Sequence, residues 1–233
     1  RADGTLWTAG ANSYGQLGLG HNIATTSATQ IGSDLWYRVA CGHGATYAIR
    51  QDGTLWSWGR NNYGQLGVGD TIVRSSPVQI GTETDWVNIS PGDMTNNALR
   101  SDGTLWGWGA GVDGQHGLGD IINRSSPVQI GTDTDWVAGG MAGSGRKFTG
   151  AVKNGELWMW GLGTEGNLGL GTDKTDKRVP TQIGTLTNWK YLSVGVLMSG
   201  AVKTDGTLWT WGNDSSSGFG ALGDGTASNT GRS

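Results

Sequence analysis

Along Thr54 to Gly59 the side chains alternate, so that Trp56 and Trp58 leave one side of the chain while Leu55 and Ser57 leave the other. Period two belongs to a β-strand, and here both faces ask for burial. The run returns with its first Trp at Trp7, Trp56, Trp106, Trp158 and Trp209, at steps of 49, 50, 52 and 51 residues. A fixed period of this length marks a repeat protein, whose units bury their faces only by stacking on neighbours.

Each repeat divides into short strands. After the Trp-bearing strand and a Gly-rich loop comes Pro77-Val78-Gln79-Ile80-Gly81, which recurs from Pro127 and from Pro180. A Pro at the strand start cannot donate to a ladder, which places this strand at a sheet edge. Asp85 to Ile89 and Asn97 to Arg100 supply two more strands around a Pro91-Gly92-Asp93 turn, and an Asp-Gly hairpin leads into the next copy. Four-stranded antiparallel sheets, apolar on both faces and repeated head to tail, predict an all-β chain of β-propeller blades. The strands are counted as two, then three complete blades, then three strands. Residues 1–233 then form a single propeller segment of about four to five blades, with repeats starting near Asp3, Asp52, Asp102, Asn154 and Asp205. That count closes no ring, and leads to the expectation of a longer polypeptide or of closure by a partner chain.

The run Leu-Trp-x-Trp-Gly-x-Asn-x-x-Gly-Gln-Leu-Gly, best preserved from Leu55 to Gly67, resembles the repeat of the regulator of chromosome condensation family and its bacterial and viral relatives. The resemblance spans nearly the whole chain in five registers. It implies a propeller, usually of seven blades, whose members mostly bind macromolecules with their end faces. Departures sit at Ala9 for the second Trp, His116 for the Leu and Asn167 for the Gln, while Gly218 to Gly223 fits the loop only loosely. The Gly-Trp-Arg-His-Thr motif of the family's plant ultraviolet-B photoreceptor is absent, which argues against light sensing.

Composition fits this picture. Gly supplies 44 of 233 residues and charged residues only 15%, against about 25% in an average domain. The 13 Trp are core material, with Trp58, Trp108, Trp160 and Trp211 expected between blades and Gly64 and Gly67 expected to shape the loops. A net charge of -3 argues against a nucleic-acid partner, since phosphate-binding surfaces gather Lys and Arg. No run of 18 apolar residues is present to form a membrane-spanning helix.

Chemistry is sparse. The lone Cys41 reads as a small core residue, and His21, His43 and His116 lie in different repeats without metal-ligand spacing. Asp70, Asp120 and Asp224 each follow a Gly and suit Asx turns better than Ca²⁺ ligation. No catalytic residue, metal or cofactor is therefore expected. What varies between otherwise near-identical repeats is loops, and loops on a rigid frame are where binding residues gather. Met141 to Lys147, Thr172 to Arg178 and Asn213 to Phe219 differ most, with Gly42 to Gly44 and Gly92 to Met94 in equivalent places. From them Arg146, Lys147, Asp173, Lys174, Arg178, His43 and Asp93 are the candidate contacts. These features favour a non-enzymatic protein-binding or structural module of a bacterial or phage particle or surface, contacting protein partners such as other subunits of an assembly. A virion or extracellular setting goes with that reading. The family resemblance also permits a propeller that acts like a guanine-nucleotide exchange factor, or one that caps and inhibits an enzyme through one face.

Overall fold

A computed structural model describes residues 1–141, 147–213 and 222. The first strands are β1 (Thr5–Gly10), β2 (Thr25–Cys41), β3 (Ala45–Arg50), β4 (Leu55–Gly59) and β5 (Arg74–Gln79). Two complete sheets follow, β6 (Trp86–Pro91) to β9 (Arg124–Gln129) through β7 (Thr95–Arg100) and β8 (Leu105–Gly109), then β10 (Trp136–Met141), β11 (Phe148–Lys153), β12 (Glu156–Gly161) and β13 (Lys177–Gln182). The last sheet holds β14 (Trp189–Val194), β15 (Met198–Lys203) and β16 (Leu208–Gly212). All pairings are antiparallel between chain neighbours, so each sheet is a meander. The Pro-bearing strands β5, β9 and β13 stand at one edge, as their missing donor requires. At the other edge β6, β10 and β14, with the second half of β2, meet from sheet to sheet and form the inner wall.

One boundary differs from the sequence expectation. The outer strand of the first, two-stranded unit and the inner strand of the next run together as the 17-residue β2. Between Gly32 and Trp36 lie three residues, against four between Gly81 and Trp86 or Gly131 and Trp136. The shorter link, bulged between Gln30 and Leu35, returns Leu35 to a position opposite Thr5 of β1, where the longer links leave the ladder.

The blades are joined by one recurring contact. The indole N–H of Trp58 donates to the carbonyl of Gln16 at 2.9 Å, Trp108 to Gln65 at 2.8 Å, Trp160 to Gln115 at 3.0 Å and Trp211 to Asn167 at 2.9 Å. Each acceptor belongs to the loop of the preceding repeat, and takes a second donor from the next blade, the hydroxyl of Thr46, Thr149 or Ser199 or the amide of Asn96. The loop's second Gly sits under the indole with φ near +74° at Gly67, where a Cβ would lie 2.8 Å from the Trp108 nitrogen. All four Trp are buried. Gly64 likewise lies on the next blade, where a Cβ would meet the Ser125 backbone at 2.6 Å.

The His116 departure is compensated inside its own loop. In the first two repeats a buried Asn opens the loop: Asn61 accepts the Leu66 N–H and donates to the carbonyls of Asp70 and Ile72. In the third repeat that Asn is Gly111, and the imidazole of His116 fills the space, only 2.2 Å from where a Gly111 Cβ would stand. Its Nε2–H donates to the Ile122 carbonyl at 2.9 Å while Nδ1 accepts the Leu118 N–H at 3.2 Å. Both contacts suit the neutral ring, and burial pushes the His116 pKa down. Restoring the usual pair by Gly111→Asn with His116→Leu is therefore expected to leave stability close to the parent chain. His116→Leu alone is expected to cost about 2 kcal/mol, from the unfilled space and the orphaned carbonyl. Because the folded pKa is depressed, the unfolded chain takes up the proton first, and stability falls as pH drops through about 6.5. Chemical denaturation of the parent and the double variant at pH 7.5 and 5 (values chosen to bracket about 6.5) checks both points, since the double variant loses this component of acid sensitivity.

Cys41 is not a core residue. It ends β2 exposed, one residue before the Gly42–Gly44 turn, so the apolar reading of its strand stops short of it.

Candidate binding surface

Antiparallel order sorts the connections by end. Ala45, Gly59 and Arg74 lie side by side across β3, β4 and β5, so the β2–β3 turn and the long β4–β5 loop share one end of the blade. The Asp-Gly hairpins lie at the other, held by a relay in which Asp52 accepts the N–H and hydroxyl of Thr54 and the Thr54 hydroxyl accepts the Trp56 indole. The same arithmetic applied to the later blades puts every described candidate, His43, Asp93, Lys147, Asp173, Lys174 and Arg178, at the loop end. Arg146 and most of Asn213 to Phe219 lie outside the described residues.

Neighbouring tips are tied to one another at this end. His43 Nδ1 lies 2.8 Å from an Asp93 carboxylate oxygen, bridging two successive turns, and Lys147 lies 4.0 Å from Asp113 in the preceding loop. Arg178 is exposed on β13, beside the Gly114 of that same loop. Asp173 accepts Lys177 at 2.7 Å together with the N–H and hydroxyl of Thr175, and these bonds, Lys177 first, pull its carboxyl well below the ordinary range. Asp70 and Asp120 do the same with Ile72 and Arg74 and with Ile122 and Arg124, as Asx turns. Asp173 thus repeats a loop staple, whereas Lys174 and Arg178 present charge to solvent. The three histidines sit in three separate loops, with His21 accepting the Ile23 N–H at 3.2 Å.

Apolar residues missed by the sequence reading crowd the same end. Ile23, Ile72, Val112, Ile121 and Ile122 are exposed, Ile72 by 63% and Ile122 by 61%. Ile23, Ile72, Ile121 and Ile122 occupy the stretch just after the loop's last Gly-Asp or Gly-His in successive repeats, and Val112 lies near the start of its loop. The available signal was an aliphatic doublet, Ile72-Val73 and Ile121-Ile122, in a loop too polar to form a strand. In the fourth repeat Lys174 and Thr175 take its place.

Comparison with known proteins agrees with this geometry. The family model "Regulator of chromosome condensation (RCC1) repeat" matches residues 3–49, 52–99, 102–152 and 154–202, and a second model of that repeat matches 37–65. Human WBSCR16 is similar in structure with a TM-score of 0.81 at 22% identity, over 96% of this chain and 60% of that one. Yeast RCC1 (Prp20), solved bound to Kap60, gives a TM-score of 0.78 at 22% identity, over 97% and 56%. Saccharomyces cerevisiae Prp20p, described with its binding properties to Gsp1p and histones, gives 0.79 at 22% identity, over 97% and 58%. The chain thus spans no more than three fifths of these proteins. No curated protein sequence matches it.

Proposed function

Since the chain belongs to the regulator of chromosome condensation (RCC1) repeat family, we propose that it binds a protein partner through its loop-bearing end and performs no bond-making chemistry there. The observation that carries this reading is that the exposed aliphatic residues Ile72, Ile121 and Ile122 share the loop end of the blades with the exposed cations Lys147, Lys174 and Arg178. An apolar patch rimmed by charge on a rigid frame is the composition of a protein contact. Photo-cross-linking residues placed at Lys174 and Ile72 are expected to capture the partner, and the same probe at Ser101, on the hairpin end, is not. Capture from Ser101 alone would overturn the choice of face. The particle or cell-surface setting draws no support from the human and yeast structures above.

A second reading has a specific observation in its favour, the likeness to Prp20p, a protein described with Gsp1p and histone binding. On this reading the loop end acts like a guanine-nucleotide exchange factor, prising a small GTPase from its nucleotide. Faster release of a fluorescent guanine nucleotide from a small GTPase, lost on replacing Lys147, Lys174 and Arg178 by Ala, would select it over simple binding. An unchanged release rate would discard it.

A further inference from the structure

A cleft opens between adjacent blades, bordered by the Gly67–Gly69 stretch of the long loop, and recurs with the repeat. One of about 340 Å³ is lined by Gln79, Glu83, Arg100 and Trp106 from one blade and by Ser126 and Pro127 from the next. The preceding register repeats it at about 380 Å³ with Gln30, Asp34, Arg50, Trp56, Ser76 and Pro77. Both volumes fall in the roughly 300–1,000 Å³ range of small-molecule sites. Each cleft holds a half-buried Trp under a guanidinium, with Arg50 3.8 Å and Arg100 5.5 Å from the ring centres of Trp56 and Trp106. Carboxylates accompany each cation: Asp34 pairs with Arg50, and Asp85 accepts the Arg100 Nε at 2.8 Å while Glu83 stands nearby in the lining. The buried Trp86 also lines the first of these clefts, and its indole N–H has no partner among the described residues.

This chemistry selects among ligands. An anion would meet Asp34 or Glu83, and a cation would meet Arg50 or Arg100, so neither sign is welcomed alone. A neutral molecule whose rim offers donors and acceptors together satisfies these groups at once. We propose that these two inter-blade clefts are equivalent carbohydrate sites, each taking one pyranose unit among the Gln, carboxylate and guanidinium groups, alongside the Arg–Trp stack. Two equal sites on one frame raise the avidity for a glycan that presents repeated sugars. The later registers serve as internal contrasts. In the third, Lys153 replaces the Arg and pairs with Asp133 at 2.7 Å, and in the fourth, Leu186 replaces the carboxylate in a cleft lined largely by apolar residues.

The test is a titration of the intact chain with methyl glucoside, galactoside, mannoside and N-acetylglucosaminide, followed by the indole N–H signals of Trp56 and Trp106. At least one pyranoside is expected to shift both signals together, and to leave Trp209 in place. Inorganic phosphate and tetramethylammonium, as charged probes, are expected to shift neither. Asp34→Asn with Glu83→Gln is expected to raise the apparent Kd on the order of tenfold or more. Should that variant melt early, Gln30→Leu with Gln79→Leu tests the same clefts without touching an ion pair. No shift with any pyranoside, a shift with the charged probes alone, or an affinity unchanged in a folded variant would each overturn the proposal.

Discussion

Trp108→Ala is expected to cost about 3–5 kcal/mol of stability, the range for deleting a large buried aromatic side chain. The side chain is fully buried, contacts Trp86 at 6.5 Å between ring centres and donates to Gln65 of the preceding repeat. Its loss therefore opens a cavity between two blades and removes one of the donors on the Gln65 carbonyl, which Asn96 and Tyr47 still reach. Trp108→Phe separates the two effects. It keeps most of the packing and drops only the indole donor, for about 1 kcal/mol. Urea unfolding of the three chains orders them, and an alanine variant within about 1 kcal/mol of the parent would show that the seam carries little stability.

The second large effect comes from a single methyl group. Gly67→Ala is expected to cost roughly 2–4 kcal/mol, because a left-handed backbone penalises a Cβ by ~1–2 kcal/mol and the same Cβ falls 2.8 Å from the Trp108 nitrogen. The indole is fully buried and packs against Trp86, which opposes its displacement. Gly81→Ala makes a useful contrast: φ is also positive there, at 62°, but the nearest atoms belong to the far end of the flexible Glu83 side chain, which can turn aside. Only the backbone component should then remain. Equal losses at both positions in thermal melts would remove the steric part of this account.

Much of this was legible in the sequence for one reason. The Trp-x-Trp alternation and the Pro of the edge strand are local signals, and repetition at near-constant step states that the same unit stacks again. The burial of Trp58, Trp108, Trp160 and Trp211 follows from position alone. What escaped depends on partners from another repeat, or on one residue of length. The carbonyls of Gln16, Gln65 and Gln115 carry no sequence mark, because any residue has one. The union of two strands into β2 hangs on a link one residue shorter, and the Gly111 and His116 exchange looks like two separate losses until both side chains share one space. At the candidate surface the residue types misled in one respect: Asp173 lies in a divergent loop yet repeats the staple of Asp70 and Asp120. The exposed Ile72 and Ile122 were passed over because the reading there attended to charge.

The central claim is that each blade is locked to the one before it by an indole donating into a loop carbonyl. Hydrogen exchange at the indole nitrogens, read by ¹⁵N-resolved NMR, tests it most directly. Trp58, Trp108 and Trp160 should exchange only on global unfolding, with rates that track denaturant stability. Trp56, Trp106 and Trp158, whose indoles stay within their own hairpins, should exchange faster. Comparable fast exchange in both sets would contradict the account.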